Sequence, residues 1–473
     1  MLFNSVSFIF LFLPIVLLLY HSVDRFRFRG KDLVLNLILL VFSLVFFCWG
    51  GFKVAVKTVP ALVSIILWNY LMALLSKKWK PFLIIGVVGN IAFFFYYKIW
   101  NELAKLIEGL FTSNLTIDKF VIPIGLSFIL FHGISYLLDI RHGKAKPNKN
   151  FAEFALYMLF FPKLAQGPIV KYYEFEPYFR GRSVGFEDFV SGLERFIVGL
   201  AKKALIADVL AITVNQIFFS VTDVPSIWIG LVLFTLQLYL DFSGYSDMAI
   251  GIGKMFGFKL PENFNFPYAS TSVSEFWRRW HISLGSWFKE YLYIPLGGSR
   301  KGNVYLNLII VFLAVGIWHG TSFLFLLWGL THGLCVAMER FLNKKGWFEK
   351  IPKLIRWVYT IFIVNIIRLV YKVQDIDGFW LYLKRMFGLE KVQGELNFTW
   401  EYFLSNRVIG LSLISIIGMI VFGNLRVQNR LRQWNKESIG FSIVKYVILA
   451  SLFFLSVCAV MTSKYQPFLY FQF

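Results

Sequence analysis

Two histidines and two arginines stand among tryptophans in a chain otherwise built for lipid. His281 closes Phe-Trp-Arg-Arg-Trp-His at 276–281, which carries Arg278 and Arg279, and His319 lies in Gly-Ile-Trp-His-Gly at 316–320. An ionisable group in hydrocarbon costs roughly 3 kcal/mol or more, so such residues there mark function by default. An imidazole with an ordinary pKa of ~6.5 takes a hydroxyl proton as the oxygen attacks an acyl carbonyl, and the guanidinium groups suit a phosphorylated or carboxylated group. Together with a dry site, that set is what acyl transfer to a hydroxyl requires. A structural reading stands beside it. His319 alone is as well explained by a backbone carbonyl partner, and His281 alone is better explained by an interfacial tryptophan belt with snorkelling arginines.

The other polar candidates read as structural. His332 in Leu-Thr-His-Gly is a helix-packing residue, and Asp241 and Asp247 are expected to pair with Arg278 or Arg279 as ion pairs inside a cavity. The glycines around Lys254 lack Walker spacing, which argues against nucleotide binding. His21, His132 and His142 have no partner visible in sequence, and no metal-ligand spacing occurs.

These residues must be held by membrane helices. Of 473 residues 58% are hydrophobic, 54 are Phe and mean hydropathy is +0.64, too few polar residues to cover a globule. The fold class is all-α and polytopic. Spans are predicted at 5–20, 33–50, 58–75, 82–97, 121–140, 204–219, 227–243, 303–318, 321–342, 354–371, 407–424 and 442–462, about twelve crossings that would put both termini outside. With no linker, low-complexity tract or internal repeat, 1–473 reads as a single membrane-embedded domain.

The net charge of +21 does not point to nucleic acid. Basic residues gather between apolar runs, at Arg25 to Lys31, Lys77 to Lys80, Arg141 to Lys149, Lys344 to Lys353 and Arg426 to Lys436, as the positive-inside rule places cytoplasmic loops. Two stretches fit poorly as spans. Residues 151–170 are broken by Pro162, Gly167 and Pro168 around Lys163, as in a re-entrant segment, and 245–301 read as short helices folded into a cavity. Irregular backbone at membrane depth is tolerated where protein or water surrounds it, so both are expected to line the working cavity.

The blocks 123–140, 160–170, 241–268, 276–300, 318–333 and 467–473 together resemble the membrane-bound O-acyltransferase family, in the branch of alginate and peptidoglycan O-acetylation proteins. The resemblance implies helices and re-entrant segments around a central tunnel, with a catalytic core at about 121–342. It implies the signature histidine at His319 and the second at His281. Helix counting puts His319 near the outer ends of its flanking spans, whereas the resemblance implies a histidine deep in the tunnel, reached by a funnel or re-entrant turn.

The implied donor is a cytoplasmic acyl thioester, acetyl-CoA, entering from the basic side with Arg278 and Arg279 on its phosphates and no tightly bound cofactor. A serine-hydrolase-like extracytoplasmic transferase would pass the acyl group to a polysaccharide, which places the chain in a bacterial cytoplasmic membrane. The C-terminal Pro-Phe-Leu-Tyr-Phe-Gln-Phe at 467–473 reads by composition as an interfacial aromatic anchor, but in this branch such a motif implies that Tyr470 carries the acyl group. The competing class is a transporter or polysaccharide-export scaffold, which shares broken helices and buried charges. The paired repeats common in transporters are missing from the sequence.

Overall fold

The computed structural model describes residues 1–110, 123, 125–164, 166–220, 222–320, 322–373, 375–390, 398–423, 427, 429–431, 433–434, 438–462 and 468. Tyr470 lies outside the described residues. Among them the secondary structure is helical, with isolated bridges pairing Thr222 with Phe398 and Phe264 with Trp280. Five helices are long and apolar enough to cross a membrane: Lys31–Cys48, Thr58–Leu75, Val224–Met255, Lys353–Val373 and Ile439–Thr462. Phe8–Asp24, Phe82–Lys98, Val304–His319 and Asn406–Phe422 are shorter apolar helices. Ile420, Val447 and Phe454 are well exposed on these helices, as suits surfaces solvated by acyl chains.

The chain gathers into two compact units, one comprising Met1–Phe196 with Ser246–Pro261 and the other Ile197–Tyr245 with Glu262–Phe473. In the first, Asn69 and Asn90 exchange side-chain hydrogen bonds of 3.0 and 2.7 Å between successive helices, the kind of polar link that joins helices in lipid. The expected break at 151–170 is present: helix Phe151–Leu159 gives way to a 3₁₀ turn, Phe161–Lys163, followed by non-helical chain. Lys163 is fully buried, its Nζ 3.7 Å from the Tyr157 ring centroid and 4.7 Å from that of Phe175.

In the second unit, Val304–His319 and Phe323–Lys344 form a tight hairpin. A Cβ at Gly316 would collide with the Phe325 carbonyl and one at Gly329 with the Phe312 carbonyl, so small residues set the close approach of the two backbones. One expectation is corrected. The span predicted to end at 243, with short helices from 245, is a single helix that runs from Val224 to Met255. Within it, Asp241 and Asp247 each have a cation partner on another segment.

Candidate functional site

The site is built on two short helices, Val273–Arg279 and Ile282–Phe288. The first is fixed at its start by side chains that accept from its unsatisfied N–H groups. Ser272 Oγ accepts from Glu275 N at 2.9 Å. Glu339, fully buried on the hairpin helix, accepts from Val273 N at 2.6 Å, Ser274 N at 2.8 Å and Ser274 Oγ at 2.6 Å. At the other end Arg279 pairs with Glu275 at 2.8 Å, while Arg278 is exposed.

The Asn263–Asn265 segment lies along the junction between these helices. Asn265 N donates to Arg279 O at 2.9 Å and Ile282 N to Asn263 O at 3.0 Å. Between those bonds His281 adopts φ 46° and ψ 54°, left-handed backbone that disfavours a side chain with Cβ by about 1–2 kcal/mol. Its imidazole is buried, meets the Phe242 ring edge-on at 4.8 Å and lies 6.2 Å from the Trp318 ring. Burial pushes its pKa down to about 3, so the ring is neutral. Nδ1 faces Asn263 Oδ1 at 3.0 Å.

His319 is the last residue of its helix and is also buried. Its ring lies 4.6 Å from Trp318, 5.0 Å from Trp328 and 5.4 Å from Tyr371. The two histidines, distant in sequence, thus border the same indole. His332 differs: the Trp277 indole N–H donates to its Nδ1 at 3.2 Å, and this contact with the helix carrying Arg278 and Arg279 agrees with a packing role.

The expected pairing of Asp241 and Asp247 with Arg278 or Arg279 is not what the structure contains. Asp241 bonds Lys203 at 2.7 Å, Asp208 bonds the same ammonium at 2.7 Å, and Asp247 bonds Arg195 at 3.0 Å. Lys203, distant in sequence, is buried beside Asp241, and the half-buried Arg195 lies against Asp247, whereas Arg279 has Glu275 on its own helix.

Sequence reasoning missed three residues. Asn263, Glu339 and Arg368 are buried here, and Arg368 stacks over Trp280 at 4.5 Å and also bonds Tyr268. An arginine inside the 354–371 apolar run was the available signal for the last; nothing in spacing marked the other two. Phe468, read in sequence as part of an interfacial anchor, is placed differently by the structure. It is fully buried, 4.5 Å from Lys203 Nζ and edge-on to Tyr245 at 5.0 Å, so the C-terminal motif inserts a ring beside the Lys203 ion cluster.

A sequence profile described as MBOAT, membrane-bound O-acyltransferase family, matches residues 63–372, a range that holds Asn263, His281, His319 and Glu339. The chain is 34% identical to the probable alginate O-acetylase AlgI of Pseudomonas putida across all of both chains. It is 34% identical to the peptidoglycan O-acetyltransferase of Helicobacter pylori over 83% of this chain and 81% of that one. With the teichoic acid D-alanyltransferase of Bacillus subtilis it shares 26% identity over 74% of this chain and 88% of the relative.

Proposed function

This chain belongs to the membrane-bound O-acyltransferase family, a multi-pass membrane acyltransferase, and from that premise we propose that it takes an acetyl group from cytoplasmic acetyl-CoA for O-acetylation of an extracytoplasmic polysaccharide. The observation that carries the reading is the pair of buried histidines, His281 and His319, against Trp318. In the proposed step His319 takes the proton of the attacking hydroxyl as its oxygen adds to the thioester carbonyl. The C–S bond then breaks, and the leaving thiolate recovers that proton as free CoA thiol. His281 is the second base at the same tryptophan. Arg278, exposed beside Arg279, offers a cation to the donor phosphates.

The first acceptor in this proposal is Tyr470, whose acetyl ester a separate serine-hydrolase-like transferase passes to the glycan, with both termini outside the cytoplasmic membrane. Burial of Phe468, two residues before Tyr470, supports an anchored C-terminus. The test follows radiolabel from acetyl-CoA in proteoliposomes containing the parent chain, His319→Ala or Tyr470→Phe. Label on the parent that is lost in both variants is expected. Thioester cleavage persisting in His319→Ala removes the base role, and mass spectrometry finding no acetyl-Tyr470 when the acceptor enzyme is withheld removes the relay.

A further inference from the structure

Asn263 sits where its side chain can decide which nitrogen of His281 is basic. Its Oδ1 accepts from Ser283 N at 3.3 Å and from Ser283 Oγ at 2.9 Å, and it faces His281 Nδ1 at 3.0 Å. A backbone N–H donates and never accepts, so the Ser283 contact fixes this amide with its oxygen, not its nitrogen, toward the histidine. The same oxygen cannot donate. His281 must therefore carry its proton on Nδ1, and the neutral ring presents a basic Nε2. All three side chains are buried, and the backbone bonds on either side hold the segment in register.

We infer that Asn263 is a positioning residue for acyl transfer, holding His281 as the Nδ1–H tautomer so that Nε2 faces the reaction as a base. The inference rests on the reading of His281 as a base of the site. The left-handed backbone at His281 adds to it, because an unfavourable conformation at a non-glycine residue persists where the surroundings impose it, and such residues cluster at functional sites. His332 provides the internal contrast: its Nδ1 accepts from an indole N–H, which puts its proton on Nε2. The chain thus sets two neutral histidines in opposite tautomers through their neighbours.

The experiment measures acetyl transfer from acetyl-CoA against pH for the full chain in proteoliposomes, with Asn263→Ala, Asn263→Asp and His281→Ala. Asn263→Ala should lower kcat by about 10²-fold while KM for acetyl-CoA stays close to the parent value. Asn263→Asp still accepts from Nδ1, so kcat near its optimum should stay within about tenfold. Its carboxylate favours the imidazolium and should move the acid limb of the profile up by about one pH unit. The charged and titratable groups on the elements packed against the ring are Glu262 next to Asn263, Asp241 with Lys203 next to Phe242, Arg278 and Arg279 with Glu275 on the preceding helix, Arg368 over Trp280 and His319 beside Trp318, and every variant keeps them. Loss of folding cannot imitate this pattern, because it moves no acid limb and the Asp variant remains active. Full kcat in Asn263→Ala, or an unmoved limb in Asn263→Asp, overturns the inference when His281→Ala is inactive. Full activity in His281→Ala instead overturns the underlying reading of His281.

Discussion

Glu339→Gln tests whether the hairpin truly holds the histidine-bearing helices. The carboxylate accepts three hydrogen bonds from the start of Val273–Arg279, in a fully buried setting. A glutamine has one acceptor oxygen. Turned toward Ser274, it keeps two bonds in weaker neutral form and sets its NH₂ against Val273 N–H; turned the other way, it sets its NH₂ against Ser274 N–H and can only donate to Ser274 Oγ. One unsatisfied buried donor costs about 1–3 kcal/mol and charge-assisted bonds are about twice as strong as neutral ones. The sum is roughly 2–4 kcal/mol, a fall of about 5–10 °C in the melting temperature in detergent for a unit of this size. Ser274→Ala, which removes only the hydroxyl bond, should cost about 1 kcal/mol. His281 lies just beyond this helix, and a misplacement near 1 Å costs on the order of 10²-fold, so acetyl transfer by Glu339→Gln should drop well below that of Ser274→Ala. A glutamine variant that melts and turns over like the parent would refute the claim that this carboxylate positions the site.

Three further outcomes are expected. Lys203→Met leaves Asp208 and Asp241 buried without their shared cation and should destabilise the chain by about 3–5 kcal/mol, read as loss of monodisperse protein on size-exclusion chromatography. Adding Asp241→Asn should recover part of that loss. His281→Asn should melt near the parent, since asparagine tolerates left-handed backbone, while His281→Val should lose about 1–2 kcal/mol more; both should lack acetyl transfer, which separates the ring's chemistry from its backbone. Phe468→Ala removes a ring buried against Lys203 and Tyr245 at a cost of about 3–5 kcal/mol, read as a lower melting temperature in detergent.

What could be read from the sequence and what could not divide along one physical line. Apolar runs announce helices because lipid requires internally satisfied backbone, and the proline-glycine break after Phe160 announces its own irregularity. Histidines and arginines among tryptophans announce themselves too, because isolated charge in lipid is expensive. What they do not announce is the partner that makes them tolerable, and the partner determines the role. Asp241 reads as a partner for Arg278 or Arg279 until it meets Lys203, on a helix that continues to Met255. Glu339 reads as one more charge near a helix end until it meets Val273 and Ser274. His281 is an imidazole of undetermined tautomer in sequence and a defined one beside Asn263. Each pairing joins residues well separated along the chain, and no local pattern encodes it. Transfer chemistry follows from which nitrogen bears the proton, so the part of the site hidden from sequence is the part that decides whether a buried histidine is packing or a base.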